Sequence, residues 1–227
     1  SGSTAILSDA INSVSDVLYS ILLILGLWIS QRPPDMSHPQ GHSRFEPFVA
    51  LMVTIAMTYA GFEAMRTSIQ RFLEGGSVIP LDISLLALLA SMLIKAAMYS
   101  MVKKISHRAF SPGLEAAARD NLSDVVTSLA ALLGILGTNF FHPLLDPLAG
   151  VLVALWIFKS VYDTARENLG YLTGAGADKE LRDKILAAVK DIPDLEDVHH
   201  LVADYAGPKL VVEMHINVDG NKTLIEA

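Results

Sequence analysis

The chain of 227 residues contains no cysteine, which removes disulfides and thiolate metal sites together. Charge is also sparse: Asp, Glu, Lys and Arg make up 18%, well under the usual quarter. A soluble helical bundle could be this apolar overall, but its helices would carry a polar stripe. The stretches SLLALLASMLI and LAGVLVALWIF carry none. No initiator Met and no signal peptide stand at the start, so the chain reads as incomplete at both ends.

What is present is lipid-like sequence. Hydrophobic residues account for 52% of the chain, with a mean hydropathy of +0.42. Apolar stretches recur near residues 5–30, 46–70, 80–102, 112–141 and 145–166. Each is long enough to cross a bilayer core, which takes about 20 helical residues. The expectation is an α-helical integral membrane protein with five visible spans, followed by a small C-terminal α+β domain.

That second region begins near residue 173. DKELRDKILAAVKDIPDLEDVHH is charged and amphipathic, with Leu181, Ile185, Val189 and Ile192 on one helical face. KLVVEMHINV then alternates, and the turn signal Ala206-Gly207-Pro208 before it predicts a hairpin. The final TLIEA reads as the start of a further helix. Residues 1–172 are thus expected to form a transmembrane domain, and 173–227 an incomplete soluble one. The net charge of −7 says little about partners, because much of the acid lies in the soluble part.

Loop charges predict orientation. Arg32 and Arg44, then Lys103, Lys104 and Arg108, then Arg166 cluster on one side. The 72–80 connection carries only Glu74, and the 138–146 connection has no Lys or Arg. The positive-inside rule places the soluble domain in the cytoplasm and residue 1 outside. One further span before residue 1 would complete this topology, giving six.

Acids inside these spans need an explanation. Asn12 and Asp16 are four apart in the first span, and Asp120 and Asp124 are four apart in the fourth. That spacing puts each pair on one helical face. With Ser111 as cap and Pro112 opening the fourth helix, Asp124 lies roughly 20 Å along it. Asp16 has similar depth, so both pairs fall near mid-membrane. Unpaired carboxylates there cost about 3 kcal/mol each, and three acids with an amide ask for a cation. The plainer alternative is an ion pair with a neighbouring base, for which Lys95 in the third span is a candidate. Asp9, with Ser8, can equally be a helix cap.

Two further clusters hold metal-ligating residue types. DMSHPQGH in the first loop carries Asp35, His38 and His42, which a turn around Pro39 and Gly41 would gather; the alternative is a solvated polar loop. His199 and His200 precede the hairpin, and His215 lies on the polar face of its second strand, where histidines are usually only solvated.

With these residues in place, the chain resembles the cation diffusion facilitator family, over essentially its whole length. The matching pieces are GSTAILSDAINSVSDV, DMSHPQGHSRFE and EAAARDNLSDVVTS. The resemblance implies a six-span metal–proton antiporter that works as a homodimer, is not an enzyme, and has a cytoplasmic αββ domain. It places intramembrane ligands on Asn12, Asp16, Asp120 and Asp124, and a loop site on Asp35, His38 and His42. A cytoplasmic site would include His199 and His215, while Asp9 flanks the motif without being a ligand. Zinc-transporting members usually carry His-x-x-x-Asp in the fifth family span; Asp120-x-x-x-Asp124 with Asn12 looks like the manganese branch. An all-oxygen set suits hard Mn²⁺, although Zn²⁺ outbinds Mn²⁺ at most sites. A second departure is GYLTGAG at the end of the last span, where many relatives carry an acid that pairs with a base near Arg44.

The expected function is export of Mn²⁺, or of Fe²⁺, Zn²⁺, Co²⁺ or Cd²⁺, from the cytoplasm in exchange for protons. The alternatives are a zinc-specific antiporter, a passive metal-gated channel, and a membrane-anchored sensor using only the cytoplasmic sites. The implied partners are metal ions, protons, the lipid of the cell membrane and a second copy of the chain, with no nucleic acid and no other cofactor.

Overall fold

The computed structural model describes residues 20–76, 84–190, 192, 195–221 and 223. Within these, helix α1 is Ser20–Ser30, α2 Phe45–Leu73, α3 Ser84–Ala109, α4 Pro112–Phe140 and α5 Leu145–Thr173. A short helix, α6, Lys179–Lys190, leads to an antiparallel hairpin of β1, Leu195–Ala206, and β2, Lys209–Val218.

Local chemistry sets these boundaries. Ser111 caps α4, its Oγ accepting from the Leu114 N–H at 3.2 Å, with Pro112 at the first helical position, where no N–H is needed. Gly174, at φ 71° and ψ 47°, ends α5 in the left-handed conformation that glycine adopts without penalty. Asp178 Oδ1 accepts from the Leu181 N–H at 2.8 Å at the start of α6. Gly207, with φ 68°, turns the hairpin.

Three helices, α2, α4 and α5, are long and apolar enough to cross a membrane by length and composition. Each has 29 residues, about 43 Å at 1.5 Å per residue. Helix α3 is nearly as long at 26 residues but carries Lys95 at its centre and Lys103 and Lys104 near its end. Of the first apolar stretch, only Ser20–Ser30 lies within the described residues.

Helix α2 packs against α5, and α3 against α4. Small residues bring α2 and α5 together: a Cβ on Gly61 would stand 3.0 Å from Ile157 Cγ2, and one on Gly150 only 2.1 Å from Ser68 Oγ. Ala50, Val53 and Met57 of α2 and Ala116 of α4 form a small buried core. A buried acid joins the same two helices, since Glu46 accepts from the Ser111 hydroxyl and from the Gly113 N–H.

The hairpin is tied to the helices at its turn. The Tyr205 N–H donates to the Ala175 carbonyl at 3.0 Å, and the Gly207 N–H to the Tyr171 carbonyl at 3.2 Å. Ser43 Oγ donates to the Ala206 carbonyl at 2.8 Å, which joins the loop before α2 to the hairpin.

Candidate functional site

Asp120 and Asp124 stand on α4 as their spacing predicts, one turn apart, with Asp124 a little short of its midpoint. Asp124 Oδ2 lies 2.7 Å from the Lys95 Nζ at the centre of α3. The ion pair considered from sequence is therefore present. Asn12, Asp16 and Asp9 lie outside the described residues.

Below this pair, toward the start of α4, runs a chain of alternating charges. The Lys103 ammonium donates to Glu115. Arg119 then reaches Glu115 Oε1 at 3.3 Å, Glu167 Oε2 at 3.0 Å and Thr164 Oγ1 at 2.9 Å. Two acids and two bases thus tie α3, α4 and α5 together. Among the described residues Arg44 makes no ion pair, and this network crosses from helix to helix without it. At the far ends of α2 and α5, Arg71 Nη1 lies 3.1 Å from Asp146 Oδ2.

The loop cluster is assembled. Asp35 Oδ1 accepts from the backbone N–H groups of Ser37 at 2.8 Å and His38 at 2.7 Å, an Asx turn that brings the loop around. Gly41, at φ 84°, completes the reversal, its N–H donating to the His38 carbonyl at 2.9 Å. As a result His38 Nδ1 lies 3.6 Å from Asp35 Oδ1, and His42 Nε2 lies 3.4 Å from Asp35 Oδ2. One donor atom from each of the three residues falls within 4.8 Å of the others.

Phe45 flanks both imidazoles, at 5.8 Å between ring centroids. His42 is buried, and its Nδ1 has no hydrogen-bond partner among the described residues. Two nitrogens and a carboxylate suit a borderline divalent ion, with room for a further ligand. The Asp35 carboxyl is held below its ordinary value of 3.8, chiefly by the His38 N–H. The Ser37 N–H and the nearby His42 and His38 add to this, against an opposing desolvation.

In the hairpin, His199 and His215 are directly paired across the strands, ring centroids 5.6 Å apart. His200 joins them, its ring 4.8 Å from that of His215. Strict alternation would have sent His200 to the opposite face. Instead it has φ 55°, and the register shifts between His199 and Val202. Such a bulge re-aims one side chain. Among the described residues only Asp35, His38 and His42 form a group of three or more His, Cys, Asp or Glu side chains close enough to share an ion.

Comparison with known proteins places these features in a family. Residues 1–173 match the model of the cation efflux transmembrane domain, and residues 177–227 that of the cytoplasmic domain of cation efflux proteins. An uncharacterised transporter of Methanocaldococcus jannaschii is 32% identical over 219 residues, covering 96% of this chain and 77% of that protein. The magnetosome protein MamM of Magnetospirillum gryphiswaldense is 30% identical, over 100% of this chain and 72% of its own length. The manganese efflux system protein MneS of Bacillus subtilis is 25% identical, over 99% of this chain and 77% of its own.

Proposed function

The chain belongs to the cation efflux, or cation diffusion facilitator, family of transporters, and from that premise we propose that it exports Mn²⁺ from the cytoplasm in exchange for protons. The observation that carries this reading is the Asp120–Asp124 pair, one turn apart and in the interior of a helix apolar enough to span a membrane. Together with Asn12 and Asp16 these residues would offer a divalent ion an all-oxygen set. Hard oxygen donors suit Mn²⁺, and MneS, at 25% identity, is named for manganese efflux.

Exchange follows from the donors themselves. A carboxylate binds metal only when deprotonated, so metal entering on the cytoplasmic side releases protons and protons entering outside release metal. Both cations draw on the same oxygens. One set of oxygens cannot hold metal and protons at once, and this competition is what couples the two movements.

The remaining organisation follows the same reading. Residues 1–172 form the membrane domain, with five spans of a six-span bundle, and 173–227 the cytoplasmic domain. The soluble domains pair two copies of the chain in the cell membrane. Asp35, His38 and His42 hold a second metal ion in the loop, and His199 and His215 a third. The loop set contains imidazole, so it takes Zn²⁺ as readily as Mn²⁺.

The test is metal-driven proton flux in liposomes, across Mn²⁺, Fe²⁺, Co²⁺, Zn²⁺ and Cd²⁺, for wild type, Asp16→Ala and Asp124→Ala. Both variants should lose transport while keeping their fold. Undiminished flux in either removes the intramembrane residues from the mechanism, and metal flux indifferent to pH identifies a channel.

A further inference from the structure

Asp124 does not face the membrane interior alone. Lys95 reaches it from the facing helix, 2.7 Å between Nζ and Oδ2, and both residues lie near the middle of helices more than 25 residues long. A lysine at that depth is as costly as an acid. The pair is not sealed within the described helices, the Lys95 side chain being 25% and the Asp124 side chain 44% exposed, so Asp124 stays open to a second cation. The pairing therefore bears on what Asp124 does.

We propose that Lys95 is a tethered counter-ion that occupies Asp124 when metal is absent and must be displaced for metal to bind. This rests on the reading of Asp16, Asp120 and Asp124 as metal ligands. Three ionised carboxylates and one ammonium leave two negative charges, which one divalent cation neutralises. A loaded site is then electrically balanced, and an empty one is less negative than the carboxylates alone would make it.

The tether also sets selectivity. Because the ammonium is attached to the wall of the site, it competes at a high and constant effective concentration. A monovalent ion offers Asp124 no more charge than Lys95 already does. A divalent ion offers twice as much, and can draw on Asp120, one turn away, at the same time. Lys95 would thus weaken metal binding in absolute terms, keeping release possible, while favouring divalent over monovalent metal ions. Metals held by three carboxylates without such a competitor would leave slowly.

The test is Mn²⁺ titration of the full-length purified chain by calorimetry. His38, His42, His199 and His215 are replaced by Ala, so that only the intramembrane site reports. Lys95→Met should bind Mn²⁺ tighter by about tenfold, the factor that ~1.4 kcal/mol of competing interaction carries. Lys95→Gln, a second neutral variant, should do the same, and Lys95→Arg, which retains the charge, should not tighten. Melting curves identify any variant that has not folded. Asp124→Asn should abolish binding. If it does, and the neutral Lys95 variants bind Mn²⁺ no tighter than wild type, Lys95 is only a structural partner and the proposal is overturned alone. If Asp124→Asn binds Mn²⁺ as wild type does, the intramembrane reading itself is overturned, and the Lys95 inference with it.

Discussion

The Ser43 hydroxyl donates to the carbonyl of Ala206 at 2.8 Å, a buried hydrogen bond between residues 163 positions apart. It connects the residue that follows His42 to the turn of the cytoplasmic hairpin. Gly207 lies directly against this contact. A Cβ there would stand 2.6 Å from the Ser43 carbonyl carbon and oxygen, and the φ of 68° already favours glycine.

Replacing Gly207 with Ala should therefore disturb the junction twice, through backbone strain and through collision with main-chain atoms that cannot rotate away. A loss of about 1–3 kcal/mol is expected. Ser43→Ala should cost about 1 kcal/mol, the net worth of one hydrogen bond. Thermal melting of the purified protein checks both; a Gly207→Ala variant as stable as wild type would remove the close contact.

Asp35 provides a second expectation. Its folded pKa is depressed, so its stabilisation of the loop is present above the unfolded value of 3.8 and lost as pH falls through the lower folded value. Asp35 should consequently stay ionised throughout the range in which transport is measured. Asp35→Asn keeps an acceptor for the Ser37 and His38 N–H groups but removes the charge. It should leave the loop intact and lower the number of bound Zn²⁺ ions by one per chain, read by metal content after dialysis.

Much of this fold could be read from local chemistry. Ser111-Pro112 opens α4, the alternation of Lys209–Val218 makes a strand, and the turn at Gly207 joins it to its partner, because each depends on neighbours in sequence. The loop cluster was half legible: spacing brings Asp35, His38 and His42 near one another, but the Asx turn that closes them depends on the N–H groups of Ser37 and His38. Lys95 could be named from sequence as a candidate partner for a buried acid, but what Arg119 and Glu46 touch could not. Each reaches another helix, and which group it meets there depends on how the helices cross. His200 was visible as a histidine beside His199, but the resemblance carried only His199 and His215 over, and it is the register shift that brings the His200 ring to His215.

The cytoplasmic histidines can be separated by single substitutions. If the bulge serves to bring His200 to the pair, His199→Ala, His200→Ala and His215→Ala should each weaken Zn²⁺ binding at this site by about tenfold or more, the scale of one lost ligand interaction worth ~1.4 kcal/mol. Titration in a background lacking Asp35, His38, Asp120 and Asp124 measures it. An unaltered affinity in His200→Ala would leave His199 and His215 as the only histidine ligands.

Metal choice is open to one substitution. Asp120→His exchanges a hard oxygen for a borderline nitrogen in the intramembrane set. The Mn²⁺ rate should fall relative to Zn²⁺ by something on the order of tenfold, if about 1.4 kcal/mol of differential binding changes hands. Competitive transport of both metals in the same liposomes gives the ratio. A ratio that does not move, or a wild type that already prefers Zn²⁺, would defeat the oxygen-set argument for manganese and leave metal export untouched.

The close approach of α2 and α5 bears on how such a carrier could move. With Gly61 set against Ile157 and Gly150 against Ser68, the two backbones are meshed like teeth, and sliding one past the other would drive side chains into main chain. Arg71 and Asp146 latch the far ends of the same pair. This pair is suited to be the stator of the machine. Helix α4 is bound to the same wall, by Arg119 to Glu167 of α5 and by Ser111 to Glu46 of α2, so it could not rock against that pair without breaking those contacts.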